Sequence, residues 1–101
     1  MQARPVLLLE QAAEDMEAGR LFYEKQGEGL GFLFLQSLLA DLSSLQTVAG
    51  IHSRRFGGYR MLARKFPFAI YYDLPPSTVR VIAILDMRSN PSWIHDEIQK
   101  R

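Results

Sequence analysis

Residues 65–72 read KFPFAIYY, and their pattern decides the fold. Phe68, Ile70, Tyr72 and Leu74 alternate with Ala69, Tyr71 and Asp73. Aromatic and β-branched residues at a period of two predict a strand, and Pro67 near its beginning is compatible with a strand start. Upstream lies RRFGGYRMLARKF, residues 54–66, and downstream VRVIAILDMR, residues 79–88. Arginines therefore crowd an apolar sheet. Either charge keeps the sheet edge soluble, or the sheet carries a surface for a polyanion or a partner.

Working outward, Arg60, Leu62 and Arg64 alternate with Met61, Ala63 and Lys65, a second strand. Gly50, Gly57 and Gly58 mark loop and turn before it, which places Arg54 and Arg55 in a loop. Leu74 to Ser77, LPPS, is a turn, because two prolines cannot serve a central ladder. In the third strand Val79, Val81, Ala83 and Leu85 share one face, and Ile82 and Ile84 the other. Apolar residues on both faces imply a strand inside the sheet. Asn90-Pro91 is a turn signal, and the remainder, residues 90–101, is a short helix or a tail.

The first half reads differently. Val6 to Leu9 is a short apolar run, a first strand. EQAAEDMEAGRLFYEKQ, residues 10–26, has Ala12, Met16, Gly19 and Tyr23 at helical spacing, with acids early and Lys25 late. LGFLFLQSLLADLSSLQTV, residues 30–48, places Phe34, Leu38, Leu42 and Leu45 on one face, and Leu35 and Leu39 widen that stripe. Gly27 and Gly29 leave a connection short enough for an antiparallel helical hairpin. The predicted fold is α+β in one domain spanning 1–101. An N-terminal strand and a helical hairpin precede a three-stranded antiparallel meander, with the helices on one face of the sheet. The first strand joins by a crossover, parallel to the last.

Composition bounds the function. The chain has 101 residues, enough for one modest core, and no cysteine, which removes disulfides, thiolate metal sites and cysteine nucleophiles. His52 and His95 lack metal-ligand spacing, so no metal site is expected. No apolar run approaches the ~20 residues of a membrane span, and the N-terminal apolar stretch is too short for a signal peptide. A cytoplasmic protein without membrane contact is the expectation. Net charge is +1. Residues 1–50 hold three Lys/Arg and seven Asp/Glu, and residues 51–101 hold nine and four, so the halves carry −4 and +5. The second half suits an acidic partner or a nucleic acid.

Three stretches taken in order carry a resemblance. EQAAEDMEAGRLFYEKQGEGLGFLFL, RRFGGYRMLARKFPFAIYYDL and VRVIAILDMRSNPSWI resemble, nearly along the whole chain, the RelE/ParE superfamily of bacterial type II toxins. The wording is nearer to the ParE branch, the plasmid-stabilisation proteins. The resemblance implies a RelE/ParE-like fold, no cofactor, a cognate antitoxin as partner and a toxin–antitoxin hetero-oligomer. For the ParE branch it implies growth arrest through DNA gyrase, held in its cleaved-DNA complex. For the RelE branch it implies ribosome-dependent cleavage of mRNA. A third reading is a non-toxic, antitoxin-binding member.

RelE-like cleavage uses two lysines, two arginines and a C-terminal tyrosine to activate the 2′-hydroxyl and surround the phosphate. Laid on this sequence, those positions fall on Arg60, Leu62, Ala69, Arg88 and the neighbourhood of Ile94. Leu62 and Ala69 carry no charge and move no proton. The set is broken, as in the ParE branch. Were the chain a nuclease, Arg60, Arg88 and His95 would be its catalytic candidates. The target- or antitoxin-binding candidates are Arg54, Arg55, Arg60, Arg64, Arg88 and Trp93. Each has a plain structural alternative. Arg60 and Arg64 would blunt an edge strand, and Arg54 and Arg55 would be merely solvated. Arg88 would form a salt bridge to Asp86 or Asp73, Trp93 would close a core edge, and His95 would be a tail residue.

Overall fold

The computed structural model describes residues 3–101. Its elements are β1 (Val6–Leu8), α1 (Glu10–Gln26), α2 (Leu30–Val48), β2 (Ser53–Arg55), β3 (Gly58–Leu62), β4 (Phe68–Asp73), β5 (Val79–Asp86) and α3 (Pro91–Gln99). The sheet runs β1-β5-β4-β3-β2. β1 is parallel to β5, and every other pair is antiparallel. KFPFAIYY thus supplies the middle strand. Among the described residues no helix is long and apolar enough to cross a membrane.

The α1–α2 hairpin covers one face of the sheet. Its seam is the predicted one: Ala12, Met16 and Gly19 from α1 meet Phe34, Leu38, Leu42 and Leu45 from α2, over Met61, Phe68, Ile70, Tyr72, Val79, Val81 and Ile84. Gly19 is required there, because a Cβ would lie 2.5 Å from the tip of the Phe34 ring. Phe34 in turn stacks on Tyr23 at 5.2 Å and meets Phe66 and Phe68 edge-on at 5.1 and 5.0 Å. Each such aromatic pair adds roughly 0.5–1.5 kcal/mol beyond its buried area. Leu39 departs from the expected stripe and is half exposed, as are Phe32 and Leu33. The apolar arc of α2 is wider than the sheet it packs on.

Three further expectations are corrected. First, the antiparallel meander has four strands, since Ser53–Arg55 pairs with Gly58–Arg60. Arg54 and Arg55 therefore lie on an edge strand, not in a loop. The β2–β3 turn places Phe56 and Gly57 at φ 53° and 85°, the two positive values a tight hairpin turn requires. Second, the helices do not share one face. α3 packs on the opposite face, where Ile94 and Ile98 cover Ala69, Tyr71, Ala83 and Leu85. Tyr71, on the face away from the helical hairpin, is 3% exposed. Third, β5 does not alternate throughout. Tyr71 pairs Ala83 while Tyr72 pairs Val81, so Ile82 is a bulge. Beyond it the parity flips. Ile84 joins Val79 and Val81 under the helical hairpin, and Ala83 and Leu85 turn to α3.

The outer edge of β5 is longer than β1, and side chains close what β1 leaves open. The Asp15 carboxylate accepts the Ile84 N–H at 3.0 Å and pairs with the Arg101 guanidinium. Arg101 also donates to the Ile82 carbonyl at 3.2 Å and to Glu97 at 3.2 Å. The end of α3 is thereby tied to α1 across the sheet edge.

Candidate functional site

The strand β2 and the turn after it place the cations. β2 is exposed along its length, and among the described residues nothing pairs its outer edge. Arg54 lies over the Tyr59 ring at 4.6 Å, a cation–π contact. Arg55 donates from Nη1 to the Arg54 carbonyl at 2.9 Å. Arg60 sits opposite Ser53 on one side and Tyr71 on the other, half-buried, with its Nε enclosed and unpartnered. β3 ends at Leu62, so Arg64 and Lys65 belong to the β3–β4 loop and do not continue the Arg60 face. That loop is fixed from beneath. Asp41 of α2, 2% exposed, accepts the Arg64 backbone N–H at 3.2 Å. Burial holds the Asp41 carboxyl above the usual carboxylate range, against the opposing pull of that N–H and of the Arg64 and Lys65 charges.

A second group gathers under α3. Tyr71 lies beside Arg60, and the Phe56 ring is 5.9 Å from Tyr71 and 5.4 Å from His95. Burial raises the Tyr71 phenol pKa, while Arg60 and, less, Arg55 act in the opposite direction. His95 is on α3, not in a tail, and is exposed beside Asp96 at 3.7 Å. Leu62 and Ala69 face each other across β3 and β4, the first half exposed and the second fully buried.

Arg88 stands apart from both groups. It follows β5 and makes a two-pronged bond to Asp86 at 3.0 and 2.7 Å. That bond raises the Arg88 pKa and lowers that of Asp86. Asp73 pairs instead with Arg80. Trp93 is half exposed and walls a cleft of about 340 Å³ between α1 and α3, with Phe22 opposite and Phe68, Ile84 and Leu85 within.

The seven candidates therefore divide. Arg54, Arg55 and Arg60 come together on β2 and β3, Arg64 sits apart in the β3–β4 loop above Asp41, His95 joins Arg60 through Phe56 and Tyr71, and Arg88 and Trp93 lie elsewhere. The sequence reading missed Lys65 beside Arg64, and missed Phe56 as the bridge. Phe56 was findable in principle, since a residue before Gly57 in a two-residue turn must adopt positive φ. Among the described residues no group of three or more metal-binding side chains assembles. Chemically, the face under α3 offers a guanidinium, a buried phenol and one exposed imidazole. A guanidinium is already protonated and cannot act as a base.

No family model matches the chain, and a search of curated proteins finds no similar sequence. Solved structures do match. A chain of the chromosomal ParDE toxin–antitoxin system of P. aeruginosa superposes with a TM-score of 0.76 at 19% identity, over 83% of this chain and 96% of that one. The E. coli toxin RelE, as an arginine-to-alanine mutant in the free state, superposes with a TM-score of 0.55 at 18% identity, over 98% and 97%. The chain therefore has the RelE/ParE fold, and of these two structures it superposes better on the ParDE chain.

Proposed function

We propose that the chain is the toxin of a type II toxin–antitoxin pair and that it inhibits DNA gyrase by binding, without catalysis. The observation that carries this reading is the pair Leu62 and Ala69. The positions where RelE-like enzymes carry charge hold a half-exposed leucine and a fully buried alanine. Metal-free RNA cleavage needs a proton acceptor, cations at the phosphate and a proton donor. Arg60 supplies one cation, Tyr71 is closed off by α3, and His95 alone remains to move protons. Binding needs no such set. A toxin that prefers the gyrase complex with cut DNA shifts the population toward it in proportion to that preference.

The helical hairpin offers the cognate antitoxin exposed apolar side chains. Leu21 and Phe22 of α1 and Phe32, Leu33 and Leu39 of α2 are each 46–64% exposed, with Phe22 and Leu33 on different flanks. An amphipathic antitoxin helix covering one flank would bury apolar area that is otherwise in water. The toxin and its antitoxin then form a hetero-oligomer.

The test is pulse labelling of DNA, RNA and protein synthesis in bacteria just after the chain is induced without its antitoxin. The expected result is that DNA synthesis falls first, with a DNA-damage response. A first fall in protein synthesis, with cleaved messages, would overturn the gyrase reading in favour of a ribonuclease built on Arg60 and His95. No fall at all, with soluble protein accumulating, would leave a non-toxic antitoxin-binding module.

A further inference from the structure

From Ile51 to Tyr72 the chain carries Arg54, Arg55, Arg60, Arg64 and Lys65 and no Asp or Glu. The cations that follow are all compensated: Arg80 by Asp73, Arg88 by Asp86, Lys100 by Glu97, and Arg101 by Asp15 and Glu97. Among the described residues none of the five earlier ones forms an ion pair. Four of the five are nevertheless positioned. Tyr59 supports Arg54, the Arg54 carbonyl anchors Arg55, the Arg60 Nε is enclosed, and Asp41 fixes the Arg64 backbone. Cations that are positioned but not neutralised are prepared for an anion from outside.

We propose that this end of the sheet binds the phosphate backbone of duplex DNA directly. The charge wraps the edge: Arg54 projects with Tyr59 to the helical-hairpin face, and Arg55 and Arg60 project with Tyr71 to the α3 face. A polyanion lying along the edge meets cations from both sides. A single strand would need exposed rings to stack on. The exposed aromatic residues are Phe22, Phe32 and Trp93, none of them in this region. A protein partner would need an apolar centre with little charge, and here only Ile51 and Leu62 are exposed apolar residues. The binding is independent of sequence. β3 is already paired to β4, so β2 and β3 cannot enter the major groove as a free two-stranded ribbon.

The inference extends the proposed function, since gyrase holds duplex on both sides of the cut. It nevertheless stands or falls separately, because its test uses neither gyrase nor antitoxin. The purified full chain is titrated into a fluorescein-labelled duplex of about 20 base pairs, long enough for several phosphate contacts, and anisotropy is read from low to physiological salt. With four or five phosphate contacts, log K is expected to fall against log salt with a slope of about −3.6 to −4.5. Two duplexes of unrelated sequence should bind alike. The Arg54→Gln, Arg55→Gln double variant, altered only at exposed positions, should reduce the slope by about 1.8. Arg64→Gln, Lys65→Gln should do the same, and Lys100→Gln should change nothing. Absence of binding at low salt overturns the proposal, and so does an unchanged slope in both double variants. Tighter binding of the single strand would overturn it in favour of stacking. Tighter binding of poly-glutamate at the same salt would overturn it in favour of an acidic protein segment.

Discussion

Replacing Tyr72 with Phe should destabilise the protein in a way that depends on pH. The Tyr72 ring is fully buried in the middle of β4, stacked on Tyr59 at 5.2 Å. Its hydroxyl accepts the Gly50 N–H at 2.9 Å and meets His52 Nδ1 at 2.5 Å. With Nδ1 as the acceptor of the Tyr72 proton, the bond to neutral His52 is made by the tautomer that carries its proton on Nε2. Tyr72→Phe keeps the ring and removes both bonds. At about 1 kcal/mol each, and with Gly50 able to turn to water, the loss is about 1–2 kcal/mol. For a domain of this size that lowers Tm by about 4–16 °C. Burial holds the His52 pKa below its ordinary value of 6.5. The unfolded chain therefore binds a proton on this ring at a higher pH than the folded one does. The stability this contributes is complete above about pH 6.5 and is lost as the pH falls through the folded value. A protonated Nδ1 cannot accept, and the Tyr72 proton then has no acceptor. Thermal melts at pH 7.5 and at stepwise lower pH are the assay, and the deficit of the variant should shrink once His52 takes up its proton in the folded state. Melts within about 1 °C of wild type at pH 7.5, a small fraction of the shift worked above, would refute the reasoning. So would a deficit that stays constant down to acid unfolding.

Three other perturbations test the fold and the candidate site. Asp15→Asn should cost about 1–3 kcal/mol by urea denaturation, because it removes one of the two carboxylates paired with Arg101, whose side chain is 6% exposed, and leaves Glu97 alone; a midpoint like wild type would mean the tie across the sheet edge is dispensable. Gly58→Ala should cost about 1–3 kcal/mol or block folding, since a Cβ there would sit 2.5 Å from the Tyr72 carbonyl oxygen, and backbone cannot swing aside. Charge reversal at exposed Arg88 removes a surface pair, so the melt should stay within about 2 °C of wild type. If Arg88 contacts the target, growth arrest should weaken all the same, and unchanged arrest removes it from the target surface.

The helical hairpin and the order of the main strands were legible in the sequence because burial imposes period. Phe34, Leu38, Leu42 and Leu45 repeat at helical spacing, and Phe68, Ile70 and Tyr72 at two, and each set faces the core the pattern implies. The parallel pairing of β1 with β5 was legible as well, since a strand followed by two helices must return by a crossover. β2 was not legible. Its three residues are all exposed, so no apolar alternation marks them, and its turn uses Phe56-Gly57 where the usual signal is Asn-Gly or Asp-Gly. The bulge at Ile82 was invisible for a related reason: Val, Ile, Ala and Leu fill both faces of β5, so a slip in parity leaves no polar residue on the wrong side.

The site follows the same division. The sequence alone determined that the second half is basic, that Leu62 and Ala69 carry no ionisable group, and that there is no cysteine. Those are matters of residue identity. Which of the arginines other than Arg88 remain unpaired, only the tertiary structure decided. Arg80, Arg88 and Arg101 are indistinguishable from Arg54, Arg55 and Arg60 in a composition. Yet the first three find carboxylates because β5, β4 and α1 bring Asp86, Asp73 and Asp15 within reach. Arg54, Arg55 and Arg60 form no ion pair among the described residues, and α3 crosses the sheet to bring His95 to Phe56 beside Tyr71 and Arg60. The Arg88–Asp86 pair, two residues apart, was legible in the sequence, but the Arg101–Asp15 pair joins segments 86 residues apart and is fixed only when the sheet closes and both its faces are covered.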